Sequence, residues 1–151
     1  MEIHRYEPER LDTPSDAELD ALTRLWEASV RATHRFLAPG DIDFFREVVR
    51  REALPGTELH VLRDAQGGFI AFAGTEGDKL EMLFVDPAHR GRGAGRCLVE
   101  HLVARGVRRV DVNEQNTQAA GFYARMGFRT VARDPLDATG RPYPILRLER
   151  E

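Results

Sequence analysis

A chain of 151 residues with 42% hydrophobic and 31% charged residues has the make-up of one globular domain with an ordinary core. Its net charge of −3 gives no electrostatic case for nucleic acid, and its single cysteine, Cys97, excludes an internal disulfide and a thiolate metal cluster. No apolar run approaches the ~20 residues that span a bilayer, and Met1-Glu2-Ile3-His4-Arg5 lacks the apolar segment of a signal peptide, so no membrane and a cytoplasmic location are expected.

Residues 2–6 read as a short edge strand. Pro14-Ser15 opens a helix in which Ser15 and Glu18 are spaced as a capping box, and Leu19, Leu22, Trp26, Val30 and Thr33 follow at helical spacing. Pro39-Gly40 breaks the chain, a second helix is expected over residues 42–53, and Pro55-Gly56 ends it. Residues 58–63, 69–73 and 79–85 read as strands joined by turn formers, an antiparallel meander. A glycine-rich loop leads to a helix ending near Arg105. Residues 107–112 read as a strand, 116–126 as a helix stopped by Gly127, and 128–133 and 144–148 as the last strands.

The glycine-rich loop, Asp86-Pro87-Ala88-His89-Arg90-Gly91-Arg92-Gly93-Ala94-Gly95-Arg96, joins a strand to a helix. Glycines there let the backbone approach a ligand, and the first N–H groups of the helix have no partner within it. With the positive end of the helix dipole they suit a phosphate or pyrophosphate. Arg90, Arg92 and Arg96 add mobile positive charge. The loop has no Gly-Lys-Ser/Thr and is not a Walker motif. The dinucleotide fingerprint fails in both registers, with Arg96 or Leu98 in place of the third glycine.

What remains, Arg90-x-x-Gly93-x-Gly95, resembles the acetyl-CoA signature Gln/Arg-x-x-Gly-x-Gly/Ala of the GCN5-related N-acetyltransferase (GNAT) superfamily. The plain alternative is a turn that only closes a strand-to-helix connection. A second motif favours the resemblance: Asn116-Thr117-Gln118-Ala119-Ala120-Gly121-Phe122-Tyr123, then Gly127-Phe128, is similar to the family's Asn-x-x-Ala-x-x-Phe-Tyr followed by Gly-Phe. The element order β-α-α-β-β-β-α-β-α-β-β agrees over nearly the whole chain. More locally, residues 32–37, 112–116 and 140–144 resemble the bacterial YjaB-type branch.

The resemblance implies an α/β fold over residues 1–151. Its mixed sheet of about six or seven strands, flanked by about four helices, would splay at an acetyl-CoA cleft. It implies transfer of an acetyl group from acetyl-CoA to a primary amine, directly and without a metal. The acceptor would be a small-molecule amine or a protein N-terminus, and the enzyme a possible homodimer. The rival is an acyl-CoA-binding module without catalysis.

Residue by residue, the resemblance puts the backbone N–H groups of Gly91, Arg92, Gly93, Ala94, Gly95 and Arg96, with Arg90 beside them, at the pyrophosphate. Leu83, Phe84 and Val85 would offer strand backbone to the pantetheine arm, and Asn116 would hydrogen-bond it. Tyr123 would protonate the leaving thiolate, since a phenol of pKa ~10 stays protonated at neutral pH. Phe122 is assigned to the core. The amine must lose a proton, and the candidates are Glu81 and His34. Strict alternation puts Glu81 on one face with Leu83 and Val85, opposite Leu80, Met82 and Phe84, and apolar neighbours would favour its protonated form. A solvated carboxylate is the alternative. His34, at the end of the first helix, would line the acceptor pocket or relay a proton, or else sit at the helix end for the dipole. Cys97 reads as a packing residue. His4, His60, His89 and His101 read as structural or exposed. Tyr143 either borders the acceptor pocket or is a turn aromatic.

Overall fold

The computed structural model describes residues 6–151. The strand expected over residues 2–6 lies outside them, apart from Tyr6, which is in no strand. The first described strand is β1 (Glu9–Leu11), antiparallel to β2 (Glu58–Arg63). Between them, α1 (Asp16–Thr33) starts at the expected capping box. The Glu18 N–H donates to Ser15 Oγ at 3.1 Å, and the Ser15 N–H donates to Glu18 Oε1 at 2.9 Å. α2 (Pro39–Val48) starts earlier than expected. Pro39 and Gly40 are its first residues, because proline at the first helical position has a suitable φ and no N–H to leave unpaired. It continues as a π-helical turn over Val49–Ala53.

β2, β3 (Phe69–Glu76) and β4 (Lys79–Val85) form the expected meander, with β3 extending past residue 73. α3 (Ala94–Ala104), β5 (Arg109–Asn113), α4 (Thr117–Arg125), β6 (Arg129–Asp134) and β7 (Ile145–Glu149) follow in the expected order. The seven strands make one mixed sheet, ordered β1-β2-β3-β4-β5-β7-β6. Its one parallel contact is β4 with β5. On one face, Leu98 and Leu102 of α3 and Tyr123 of α4 pack with Leu62, Ala71, Leu80, Val110 and Leu148. On the other, Leu22, Trp26 and Val30 of α1 pack with Val61, Phe72 and Met82. Full burial of each such side chain contributes ~1.5–3 kcal/mol, which holds the helices to both faces.

Two irregularities shape the functional region. β4 and β5 pair only at Lys79 with Arg109 and Leu80 with Val110, and beyond Leu80 no ladder joins them. The sheet therefore opens between the C-terminal parts of these strands, as expected. The second irregularity is a bulge. Gly74 of β3 is opposite Met82 and Thr75 is opposite Leu80, which leaves Glu81 as the extra residue. Beside the bulge, Gly74 makes room for the Met82 and Thr57 side chains: a Cβ there would lie 2.7 Å from Met82 Cε and 2.6 Å from Thr57 Oγ1.

The bulge overturns the strict alternation expected for β4. Leu80 packs with Leu83 and Val85 on the α3–α4 face, whereas Met82 and Phe84 pack on the α1–α2 face. One added residue changes which side chains share a face.

Candidate active site

A cleft of about 610 Å³ follows the opening between β4 and β5. One end lies against the glycine loop and α3, the other against the end of α1. Of the residues expected to act, His34, Glu81, Leu83, Phe84, Val85, Arg90, Gly91, Gly93, Ala94, Gly95, Arg96, Asn116 and Tyr123 border it. Arg92 does not; it is exposed, between two glycines in the left-handed region, Gly91 (φ 74°) and Gly93 (φ 85°).

At the loop end, Gly93 caps α3 and no side chain hydrogen-bonds to that terminus. α1 is capped by Ser15 and α4 by Asn116, whose Oδ1 accepts the Ala119 N–H at 3.1 Å. The α3 amides are therefore left for a ligand. Two of the three arginines are paired within the protein. Arg90 donates to Gln118 Oε1 across the cleft mouth, and Arg96 pairs with Glu100 at 2.7 Å. His89, expected to be structural or exposed, also borders this end. With Oδ1 used by the cap, Asn116 has its amide N–H groups to offer.

Tyr123 is 6% exposed, packed edge-on between Phe122 and Phe128 at 5.1 and 5.7 Å. Burial pushes its phenol well above the ordinary range, so the hydroxyl is a proton donor at any physiological pH. Phe122 packs partly against the core, as expected, and also lines the cleft. Cys97 lies outside the cleft lining. Its Sγ is 3.5 Å from the Tyr6 carbonyl, and burial raises its thiol pKa, the opposite of activation.

At the other end, the Glu81 carboxylate lacks the apolar surroundings expected for it. The bulge turns it toward Lys79, whose Nζ is 3.5 Å from Glu81 Oε1 and 2.8 Å from Asp111 Oδ2. Asp111 of β5 borders the cleft and was not singled out from the sequence. Its signal was its alternation with the core residues Val110 and Val112. Ser29 and Thr33 of α1 and Gln118 of α4 are further lining residues without a sequence signal.

His34 lies at the C-terminal cap of α1. The Thr33 hydroxyl donates its one proton to the Ser29 carbonyl at 2.8 Å and lies 2.7 Å from His34 Nδ1. The network therefore assigns the proton of neutral His34 to Nδ1 and the lone pair to Nε2. Burial lowers its pKa to about 4, so the dipole does not hold a charged imidazolium there. Elsewhere, His60 is buried, with Nδ1 3.3 Å from His101 Nε2. His4 lies outside the described residues.

Tyr143 does not border the cleft. Its hydroxyl donates to Asp41 Oδ2 and accepts the Ala38 N–H at 3.2 Å. Arg141 Nε pairs with Asp41 Oδ1 at 3.0 Å, and its guanidinium lies 3.6 Å over the Phe44 ring. Tyr143 also packs on Phe36, which packs on His34. The β6–β7 connection is thereby fastened to the α1–α2 turn that follows His34.

A mixed sheet opened between its parallel strands, an uncapped glycine-led helix on one side and a buried phenol on the other define an acyltransferase architecture. Residues 55–130 match the family model described as acetyltransferase (GNAT) domain. The chain is 41% identical over 133 residues to the peptidyl-lysine N-acetyltransferase YjaB of Salmonella typhimurium strain LT2, covering 87% of this chain and 90% of that protein. It is also similar to the solution structure of apo YjaB from Escherichia coli, with TM-score 0.86, 35% identity and 97% of each chain covered. The PaiA N-acetyltransferase of Thermoplasma acidophilum, in complex with coenzyme A, shares the fold at TM-score 0.68 and 17% identity, over 98% of this chain and 100% of that one. The chain belongs to the GNAT family and is an acetyl-CoA-dependent N-acetyltransferase.

Proposed function

We propose that the acceptor is the side-chain amine of a lysine within a protein, and that acetyl passes to it directly from acetyl-CoA. The support for the acceptor is the peptidyl-lysine activity named for two relatives at about 40% identity over most of the chain. The observation that carries the mechanism is the single cleft that runs from the free α3 amides, past Tyr123, to Glu81 and His34. Both substrates could reach it from opposite ends, so no acyl-enzyme is needed. A cytoplasmic location, where acetyl-CoA is abundant, belongs to the same proposal.

In this reading the amides of residues 91–96 hold the pyrophosphate and the backbone of residues 83–85 runs beside the pantetheine arm. Asn116 donates to that arm. A backbone N–H at the bulge polarises the thioester carbonyl. Glu81 takes a proton from the acceptor ammonium, directly or through water, and the neutral amine attacks. As the C–S bond breaks, Tyr123 donates its proton to the sulfur. His34, whose Nδ1–H is held by the Thr33 hydroxyl, offers its Nε2 lone pair as a hydrogen-bonding wall.

The test is thiol release and product mass with three acceptors: an Nα-acetylated lysine peptide, a lysine-free peptide with a free N-terminus, and a small diamine. The lysine peptide should be acetylated with the highest kcat/KM. Preference for either of the others would replace the proposed acceptor class.

A further inference from the structure

Lys79 is the one lysine in a chain with 21 arginines. It stands in the first of the two rungs of the β4–β5 ladder, next to the Leu80–Val110 rung after which the sheet opens, and its side chain is 21% exposed. Its ammonium bridges Glu81 and Asp111, carboxylates on the two strands that form the opposite walls of the cleft. The same Asp111 Oδ2 also meets Arg147 of β7 at 2.9 Å, and Arg147 pairs with Asp134 of β6 as well. Glu81, Asp111 and Asp134 therefore share two cations, Lys79 and Arg147, which leaves one negative charge in excess. Of the other groups nearby, Arg109 is taken by Asp78, while His34 and Tyr123 border the cleft uncharged at neutral pH.

We propose that Lys79 is a positioning residue, which bridges Glu81 and Asp111 on either side of the opening so that together they receive the acceptor's ammonium and its proton. The inference rests on the proposed proton transfer to a carboxylate in the cleft. A cation placed between two neighbouring carboxylates offsets the repulsion between them. An ammonium suits the bridge because it directs three N–H donors tetrahedrally, whereas a planar guanidinium favours one carboxylate bidentately. This gives a physical reason for lysine at this position in a chain that otherwise uses arginine. Burial works against the charge on Lys79, but its hydrogen bond to Asp111 and the charge of Glu81 outweigh it and raise its pKa. In the transfer, one N–H bond of the acceptor ammonium breaks and an O–H bond forms on the carboxylate. The freed electron pair then attacks the thioester carbon.

The experiment is the pH profile of kcat/KM for wild type, Glu81→Gln, Asp111→Asn, Lys79→Met, Lys79→Arg and Lys79→Met/Asp111→Asn. The probe is the Nα-acetylated lysine peptide, or whichever of the three acceptors is acetylated in its place, with saturating acetyl-CoA and thermal melts as the check on folding. Lys79→Met should move the acid limb up by about one pH unit, a loss of about tenfold on that limb. Lys79→Arg, which keeps the charge but favours one carboxylate, should move the limb by less than Lys79→Met does, and the double variant should bring it back toward wild type. A limb abolished by Glu81→Gln but unmoved in Lys79→Met overturns the inference and leaves Glu81 as the base. A limb abolished by Asp111→Asn instead, and moved in Lys79→Met, transfers the base to Asp111 and supports the inference. A limb that survives both carboxylate variants overturns the inference and the proton-transfer reading together.

Discussion

His34 should make the fold sensitive to mild acid, and the size of the effect can be worked from its burial. Its pKa falls from 6.5 in the unfolded chain to about 4 in the folded one, because burial disfavours the imidazolium. Between those values the unfolded chain binds a proton that the folded chain refuses. The stability His34 contributes is therefore fully present above pH 6.5 and is lost as pH falls toward 4. The slope is at most ~1.4 kcal/mol per pH unit, which accumulates to about 2 kcal/mol by about pH 5. His34→Gln keeps a polar side chain but cannot titrate. Urea unfolding of both proteins at about pH 7.5 and about pH 5 isolates the difference, since His60 and His101, also lowered by burial, are common to both. Wild type should lose about 2 kcal/mol more than the variant over this interval. Equal losses in the two proteins would mean that His34 is as solvated in the fold as in the unfolded chain, and the argument for a neutral His34 would fail.

Gly93→Val should weaken acetyl-CoA binding by tenfold or more in titration calorimetry. A Cβ there meets no protein atom within 4 Å, so the effect comes from the φ of 85° and from blocking the ligand; wild-type affinity would refute the placement of the pyrophosphate. Tyr123→Phe should lower kcat by ~10²–10⁴-fold with acetyl-CoA affinity nearly unchanged, and full turnover with chemistry rate-limiting would remove Tyr123 from the mechanism. Tyr143→Phe removes the hydroxyl's bonds to Asp41 and to the Ala38 N–H and should lower the melting temperature. It should also raise the acceptor KM while sparing acetyl-CoA affinity, because the loosened turn follows His34; equal effects on both substrates would count against that role.

The order of the elements was legible because each carries its own local signal. Ser15 with Glu18 marks the start of α1, the glycine loop the start of α3, and Gly127 the end of α4. Errors arose where a residue has two uses. Pro39-Gly40 reads equally well as a break or as a helix start, and only the location of the next turn of helix decides. β1 has three residues and an exposed or half-exposed pattern, so periodicity had nothing to detect.

The glycine-loop end of the cleft was legible for the same reason: glycines at a helix start have a local consequence, namely free amides. The end beside Glu81 and His34 depends on pairings between distant segments. Lys79 pairs with Asp111 and Asp41 with Tyr143, and neither pair is adjacent in sequence. Glu81 shows the difference most clearly. It was chosen for its strand, and the strand is right, but its neighbours were inferred from a period of two. The bulge breaks that period at Glu81 itself. The same extra residue sends Leu80 and Met82 to opposite faces and brings the carboxylate to Lys79. It falls beside the last β4–β5 pairing, where the sheet opens. The β4–β5 ladder ends there, so β4 backbone beyond Leu80 has no β5 partner, and the residue that defeated the pattern lies beside the amide proposed to polarise the thioester.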